Sequence, residues 1–287
     1  MGLTFVSMIE VGKFNVLTVA RLTAVGAFLT DGAGAEVLLP KKFVPSSFEE
    51  GEEMNLFVYR DSHGRLTATT LTPSATVNQF AWMEVKQVTR VGAFLDWDLE
   101  KDLLVPFREQ VQPMELGKWY MVHVFLDEQT DRVVATTKLN RFFEKNLSDL
   151  EPGMEVDLLI WKRTDLGIKV IVNQKYQGLI FRNELFRQIN PGEQVKGYIK
   201  HLRDQGKIDI LLDRPGHLSI EPQAQKLLQI IQENKGFIDL NDKSHPDDIR
   251  ERLGMSKKAF KRAVGTLYRQ KLIRIEATGI FLIVNRS

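Results

Sequence analysis

The tetrapeptide Val-Gly-Ala-Phe occurs twice, at Val25–Phe28 within RLTAVGAFL and at Val91–Phe94 within QVTRVGAFL, about 66 residues apart. The surroundings repeat with it. Each copy follows a β-rich run and precedes an apolar triplet, in EVLLP at Glu36–Pro40 and in DLLVP at Asp102–Pro106. Each then ends in Ala-Thr-Thr, at Ala68–Thr70 and Ala135–Thr137. Self-similarity of this length is the mark of a repeated domain, so the chain must be built from small units in tandem.

Each unit reads as five short strands. NVLTVARL and WMEVKQVT alternate apolar and polar residues with period two. The Val-Gly-Ala-Phe segment is a second strand whose glycine marks a bulge or sharp bend, as at the corner of a small barrel. MNLFVYR and WYMVHVFLD are fourth strands, SHGR and EQTDR are hairpin turns, and LTATTL and VVATTKL close each set. Five strands in about 65–70 residues fit an OB-type Greek-key barrel. A third copy runs from EVDLLIWKRTDLGIKV to QVKGYIKHLRDQGKIDILL, with Gly167 where Gly26 and Gly92 stand in the others. NRFFEKNLSDLEPG connects it to the second copy as a short helix or turn.

From Glu221 the period changes. Leu227, Leu228, Ile230 and Ile231 fit a helix face, and Gly236 stops that helix. A second helix has Ser244 as its cap, Pro246 in its first turn and Gly254 at its end. A third starts at the cap Ser256 and places Phe260, Val264, Leu267 and Tyr268 on one face. IRIEATGIFLIV is a hairpin turning at Thr278-Gly279. Three helices and a hairpin form a winged helix-turn-helix. The expected fold is therefore mainly β with a C-terminal α+β domain: three tandem five-stranded OB-type barrels followed by a winged helix-turn-helix. The expected domains are 1–72, 73–140, 141–216 and 217–287.

The order of strand, Gly-Ala-Phe, strand, GLIFRNEL, NPGEQVKGYI, hairpin and strand resembles the RNA-binding domain named after ribosomal protein S-one, in three copies over roughly residues 8–212. Three such barrels and a winged helix together resemble the bacterial conserved virulence factor B family. That resemblance implies a cytoplasmic RNA-binding protein that regulates gene expression, virulence factors included, and it implies no catalysis. The sequence departs from the ribosomal pattern at two points. The residue before Gly-Ala-Phe, often aromatic there, is Val25, Val91 and Leu166, and the third-strand histidine is replaced by Leu39, Val105 and Phe181.

Charge sharpens the functional expectation. Residues 222–287 carry 13 Lys and Arg against 7 Asp and Glu, residues 152–221 carry 11 against 9, and residues 1–151 carry 15 against 21. Basic charge gathered at one end points to a polyanion met mainly there. Single-stranded RNA is held by aromatic faces for the bases and by Lys or Arg for the phosphates. Phe28 and Phe94 alternate against inward Val25, Ala27, Leu29 and Val91, Ala93, Leu95, and are candidate stacking rings. Barrel three has Lys169 at that position, but interleaves Trp161, Lys162, Arg163, Phe181, Arg182, Tyr198, Lys200 and His201. Trp161 and Phe181 are expected on one surface with Lys169 between them. In the winged helix, Lys257, Lys258, Lys261 and Arg262 open the third helix, and Arg269, Lys271 and Arg274 extend the charge toward the wing.

Other classes find little support. The chain has 287 residues and no cysteine, which excludes disulfides, thiolate metal sites and cysteine nucleophiles. The five histidines, His63, His123, His201, His217 and His245, lack metal-ligand spacing, and DGAGAEV precedes no helix, so no phosphate loop is expected. No enzymatic activity, cofactor, metal, signal peptide or membrane span is expected. Two rival readings keep the same fold. One is a DNA-binding transcription regulator with the winged helix on duplex nucleic acid. The other is an adaptor whose acidic barrels one and two dock a protein such as a nuclease or ribosomal component.

Overall fold

The computed structural model describes residues 9–185, 187–213, 222–241, 243–269, 272–276 and 278–283. The chain divides into two compact units, Met1–Arg182 with Ile189–Ile210, and Asn183–Gln188 with Leu211–Ser287.

The first unit holds three five-stranded sheets of one topology. Barrel one is built from β1 (Lys13–Thr23), β2 (Gly26–Thr30), β3 (Glu36–Pro40), β4 (Glu53–Arg60) and β5 (Leu66–Thr69), closed in the order β1-β2-β3-β5-β4. Barrel two is built from β6 (Phe80–Val88), β7 (Gly92–Leu95), β8 (Leu103–Pro106), β9 (Trp119–Asp127) and β10 (Arg132–Thr136). Barrel three is built from β11 (Glu155–Arg163), β12 (Gly167–Val172), β13 (Tyr176–Phe181), β14 (Gln194–Arg203) and β15 (Lys207–Leu211), and is closed like the first. In barrel two the strand ladder stays open between β8 and β10. There the Glu109 carbonyl closes the seam instead, accepting from the Thr137 N–H and the Thr136 hydroxyl, each at 3.0 Å.

Period-two alternation puts Leu17, Val19, Leu29, Leu39 and Leu56 into the core of barrel one, and Met83, Val85, Leu95, Val105 and Val124 into that of barrel two. Burial of side chains of this size stabilises by roughly 1.5–3 kcal/mol each. The first strand of every barrel carries a one-residue bulge, at Ala20, Lys86 and Trp161. A bulge adds an unpaired residue and re-aims its side chain.

The repeated glycines break the alternation. Gly26, Gly92 and Gly167 have φ of +146°, +152° and +153°. The residues before them accordingly do not face inward with Ala27 and Ala93: Val25, Val91 and Leu166 are 63%, 58% and 66% exposed. Strand register also corrects one equivalence. Phe181 pairs with Gly167 as Pro40 and Pro106 pair with Gly26 and Gly92, so the residue matching Leu39 and Val105 is Ile180.

The second unit contains α1 (Pro222–Glu233), β16 (Phe237–Ile238), α2 (Pro246–Leu253), α3 (Lys257–Arg269), β17 (Ile273–Glu276) and β18 (Gly279–Leu282). β18 pairs with both β16 and β17, the wing of a winged helix. Leu227, Ile231, Ile249, Phe260, Leu267 and Ile280 share its core. His245, not Ser244, caps α2, its Nδ1 accepting from the Asp247 N–H at 3.4 Å, while the Ser244 hydroxyl is engaged by the Asn241 N–H at 2.9 Å. Tyr268 is 56% exposed and does not join Phe260, Val264 and Leu267. It stands eight residues after Phe260, which carries it past the edge of the buried stripe.

Candidate nucleic-acid interface

The residues expected to meet RNA fall into four places. Phe28 is half-buried on the outer face of barrel one, and the Arg21 guanidinium lies 4.1 Å from its ring centroid. Arg21 is itself bound to the Glu36 carboxylate, so one face of the ring is covered by an already neutralised cation. Phe94 lies in a 390 Å³ cleft between barrels one and two, beside Tyr59, Trp97 and Leu104.

Barrel three supplies the third place. The β11 bulge turns Trp161 outward, and the Lys162 and Lys169 ammonium groups stand 4.9 and 5.4 Å from its ring centroid. Neither lysine has a carboxylate partner among the described residues. Burial, and then the charges of Lys162 and Lys207, hold the Lys169 amine below its ordinary pKa. Arg163 is exposed and donates to the Ile189 carbonyl at 2.8 Å.

Phe181 lies on the same outer face of the sheet as Lys169. It sits opposite Gly167, two residues along from Leu179, which is the partner of Lys169. The Arg203 guanidinium lies 5.5 Å from its ring centroid and binds the buried Asp209 carboxylate at 2.6–2.8 Å. Tyr198 donates its hydroxyl to Glu155 at 2.7 Å. Lys200 is half-buried, and His201 and Arg182 are exposed.

The fourth place is α3. Lys258, Lys261 and Arg262 are exposed and, spaced three and four apart, share one face. Lys257 instead donates to the Ser244 carbonyl at 2.9 Å. Arg269 returns to the Gly265 carbonyl of its own helix at 3.2 Å. Arg274 pairs with Glu276 and covers the Phe281 ring at 4.6 Å. Lys271 lies outside the described residues.

Residues 11–71 and 79–138 match the S1 domain family, and residues 225–282 match the CvfB-like winged helix domain. The conserved virulence factor B of Staphylococcus epidermidis is 28% identical over 281 residues, covering 95% of this chain and 94% of the relative. The chain is similar to the conserved virulence factor B proteins over nearly its whole length. A Bacillus subtilis relative, uncharacterized protein YitL, is 29% identical over 274 residues, covering 89% of this chain and 88% of its own. A crystal structure of a multidomain protein with nucleic acid binding domains from Streptococcus pneumoniae is 24% identical, covers 95% of this chain and 98% of that one, and has a TM-score of 0.41. The chain thus joins S1-type segments to a CvfB-like winged helix domain. Barrel three lies outside the matched S1 segments and is placed with them by its strand order, its bulge and its glycine.

Sequence reasoning passed over Trp82 and Trp119 of the second repeat and Arg141 of the connecting segment, which line one cleft with Trp161. The signal was present. Met83 and Val85 point inward, so Trp82 points outward, and β6 pairs with β9 with Glu84 opposite Trp119. Charge alone does not mark them, because residues 1–151 carry more Asp and Glu than Lys and Arg. Among the described residues no cluster of His, Asp or Glu is arranged to hold a metal, and no helix is long and apolar enough to cross a membrane.

Proposed function

We propose that this protein is a non-catalytic, cytoplasmic RNA-binding regulator of gene expression, virulence genes included. Barrel three meets single-stranded RNA through Trp161 and Phe181 and the cations Lys162, Arg163, Lys169 and Arg182, with Tyr198, Lys200 and His201 along the same barrel. The exposed face of α3 meets further phosphates. The observation that carries this reading is the pair of lysines beside the Trp161 ring, neither with a carboxylate partner among the described residues. A base can stack on an aromatic face while its phosphates meet ammonium groups at the rim.

The test is a titration of the full chain against single-stranded RNA, single-stranded DNA and duplex DNA across a salt series. Single-stranded RNA should bind most tightly, with the logarithm of the binding constant falling linearly with that of salt. Preference for duplex DNA would instead assign the activity to the winged helix as a transcription regulator.

A further inference from the structure

Three of the four tryptophans of the chain, Trp82, Trp119 and Trp161, line one groove between barrels two and three. The fourth, Trp97, is 4% exposed and donates its indole N–H to the Ala75 carbonyl at 2.8 Å, as a core tryptophan does. The groove tryptophans are different. Trp119 is 51% exposed, and Trp82 and Trp161 are half-buried. The groove encloses about 810 Å³, within the range of ligand clefts.

Its charge has one sign. Lys138, Arg141, Lys162, Arg163 and Lys169 line it, and among the described residues no acidic one does. Arg141 is matched from outside the groove by Glu109 at 2.7 Å, whereas Lys162 and Lys169 lie over the Trp161 ring and have no carboxylate partner among the described residues. Barrel two therefore contributes positive charge here despite the acidic balance of the N-terminal half.

The two walls are fixed to each other. Phe80 stacks on Phe143 with centroids 5.0 Å apart, His123 stacks on Phe142 at 3.8 Å, and Phe143 reaches Trp161 at 5.8 Å. The Phe80 N–H donates to the Gln174 side chain at 2.7 Å. Gly192 lies against the Trp82 indole so closely that a Cβ there would come within 2.3 Å of it. A groove held this way is preorganised, and a ligand loses little affinity to ordering it.

We infer that this groove is a composite binding site for an unpaired nucleic-acid strand, in which barrel two supplies ring faces and both barrels supply cations. Aromatic faces recessed between cations need bases whose own faces are free, which a duplex does not offer. The inference rests on the reading of the chain as a single-strand binder. It adds that barrel two is part of the interface.

The experiment uses the full chain, with a fluorescent oligouridylate and an abasic oligomer of the same length as probes. Trp119→Ala is the main variant, since its side chain is half in solvent and its loss leaves the wall contacts intact. It should weaken oligouridylate binding by roughly tenfold, the share of one stacked base, and leave abasic binding unchanged. Lys162→Ala combined with Lys169→Ala should weaken both probes. Equal loss on both probes from Trp119→Ala, or no loss on either while Lys258→Ala and Phe181→Ala still weaken oligouridylate, would overturn the groove and leave the RNA-binding reading standing. Absence of oligouridylate binding by the unaltered chain would remove both.

Discussion

The Cβ that Gly92 lacks would stand 2.2 Å from the carbonyl oxygen of Val105. The same relationship holds in the other barrels, between Gly26 and the Leu39 oxygen at 2.1 Å and between Gly167 and the Ile180 oxygen at 2.0 Å. The repeated glycine is thus explained twice over, by close approach of the neighbouring strand and by a backbone angle that side chains avoid. Gly92→Val should destabilise barrel two by about 3 kcal/mol or more, since it adds strain at φ and a clash with backbone. Thermal unfolding followed by near-ultraviolet circular dichroism tests this. An unchanged midpoint would mean that the Val105 strand yields without cost.

His123 makes stability depend on pH. It is 3% exposed, its ring lies 4.6 Å from Phe80 and 3.8 Å from Phe142, and its Nδ1 has no hydrogen-bond partner among the described residues. Burial, then the charge of Arg141, push its pKa down from 6.5 to about 4, against a hydrogen bond with the Asn78 backbone that raises it. Between those values the unfolded chain binds the proton and the folded chain does not. Stability therefore falls as pH drops from about 6.5 toward 4, by up to about 3 kcal/mol, and this contribution is constant outside that window. Urea unfolding at pH 7 and pH 5 should show a loss of about 2 kcal/mol that His123→Phe abolishes. An identical loss in the variant would assign the titration to another group.

The sequence made the barrels legible because their determinants are local. Alternation names the inward residues, and the glycine at positions 26, 92 and 167 names the corner. It also named the winged helix, where Pro246, Gly254 and Ser256 punctuate the helices as expected. What it could not supply was the partner of each outward face. Alternation turns Trp82 away from the core of barrel two, but only the packed barrels bring Gly192 onto it. Phe181 and Trp161 come from the third and first strands, and alternation alone does not show that Trp161, at the β11 bulge, also lines the groove with barrel two. Val25 failed for a related reason, because a positive φ at Gly26 resets the phase of the strand.

The exposed face of α3 yields a salt prediction. Replacing Lys258 and Lys261 together with alanine keeps the helix, since alanine is the best helix former. If both meet phosphates of a single strand, affinity should fall for every RNA sequence. The slope of log binding constant against log salt should become shallower by roughly 0.7 per lost contact. Anisotropy titrations at several salt concentrations measure both quantities. An unchanged slope would remove α3 from the interface.

Phe181 and Lys169 separate stacking from charge on barrel three. Phe181 is half-buried on the outer face, and the Arg203 beside it stays clamped to Asp209 whether or not the ring is present. If the ring stacks on a base, Phe181→Ala should cost ~1–3 kcal/mol of RNA binding and leave the salt slope unchanged, because a ring contact releases no counter-ion. Lys169→Met keeps an unbranched apolar side chain beside Trp161 while removing the ammonium group. It should weaken all sequences alike and reduce the slope by one phosphate's share. Unfolding of both variants must be followed in parallel, since truncating a packed phenylalanine costs several kcal/mol of stability. If Phe181→Ala lowers stability and affinity together, the ring is structural. If it lowers neither, the ring is idle surface, and RNA on that side of barrel three is held by charge alone.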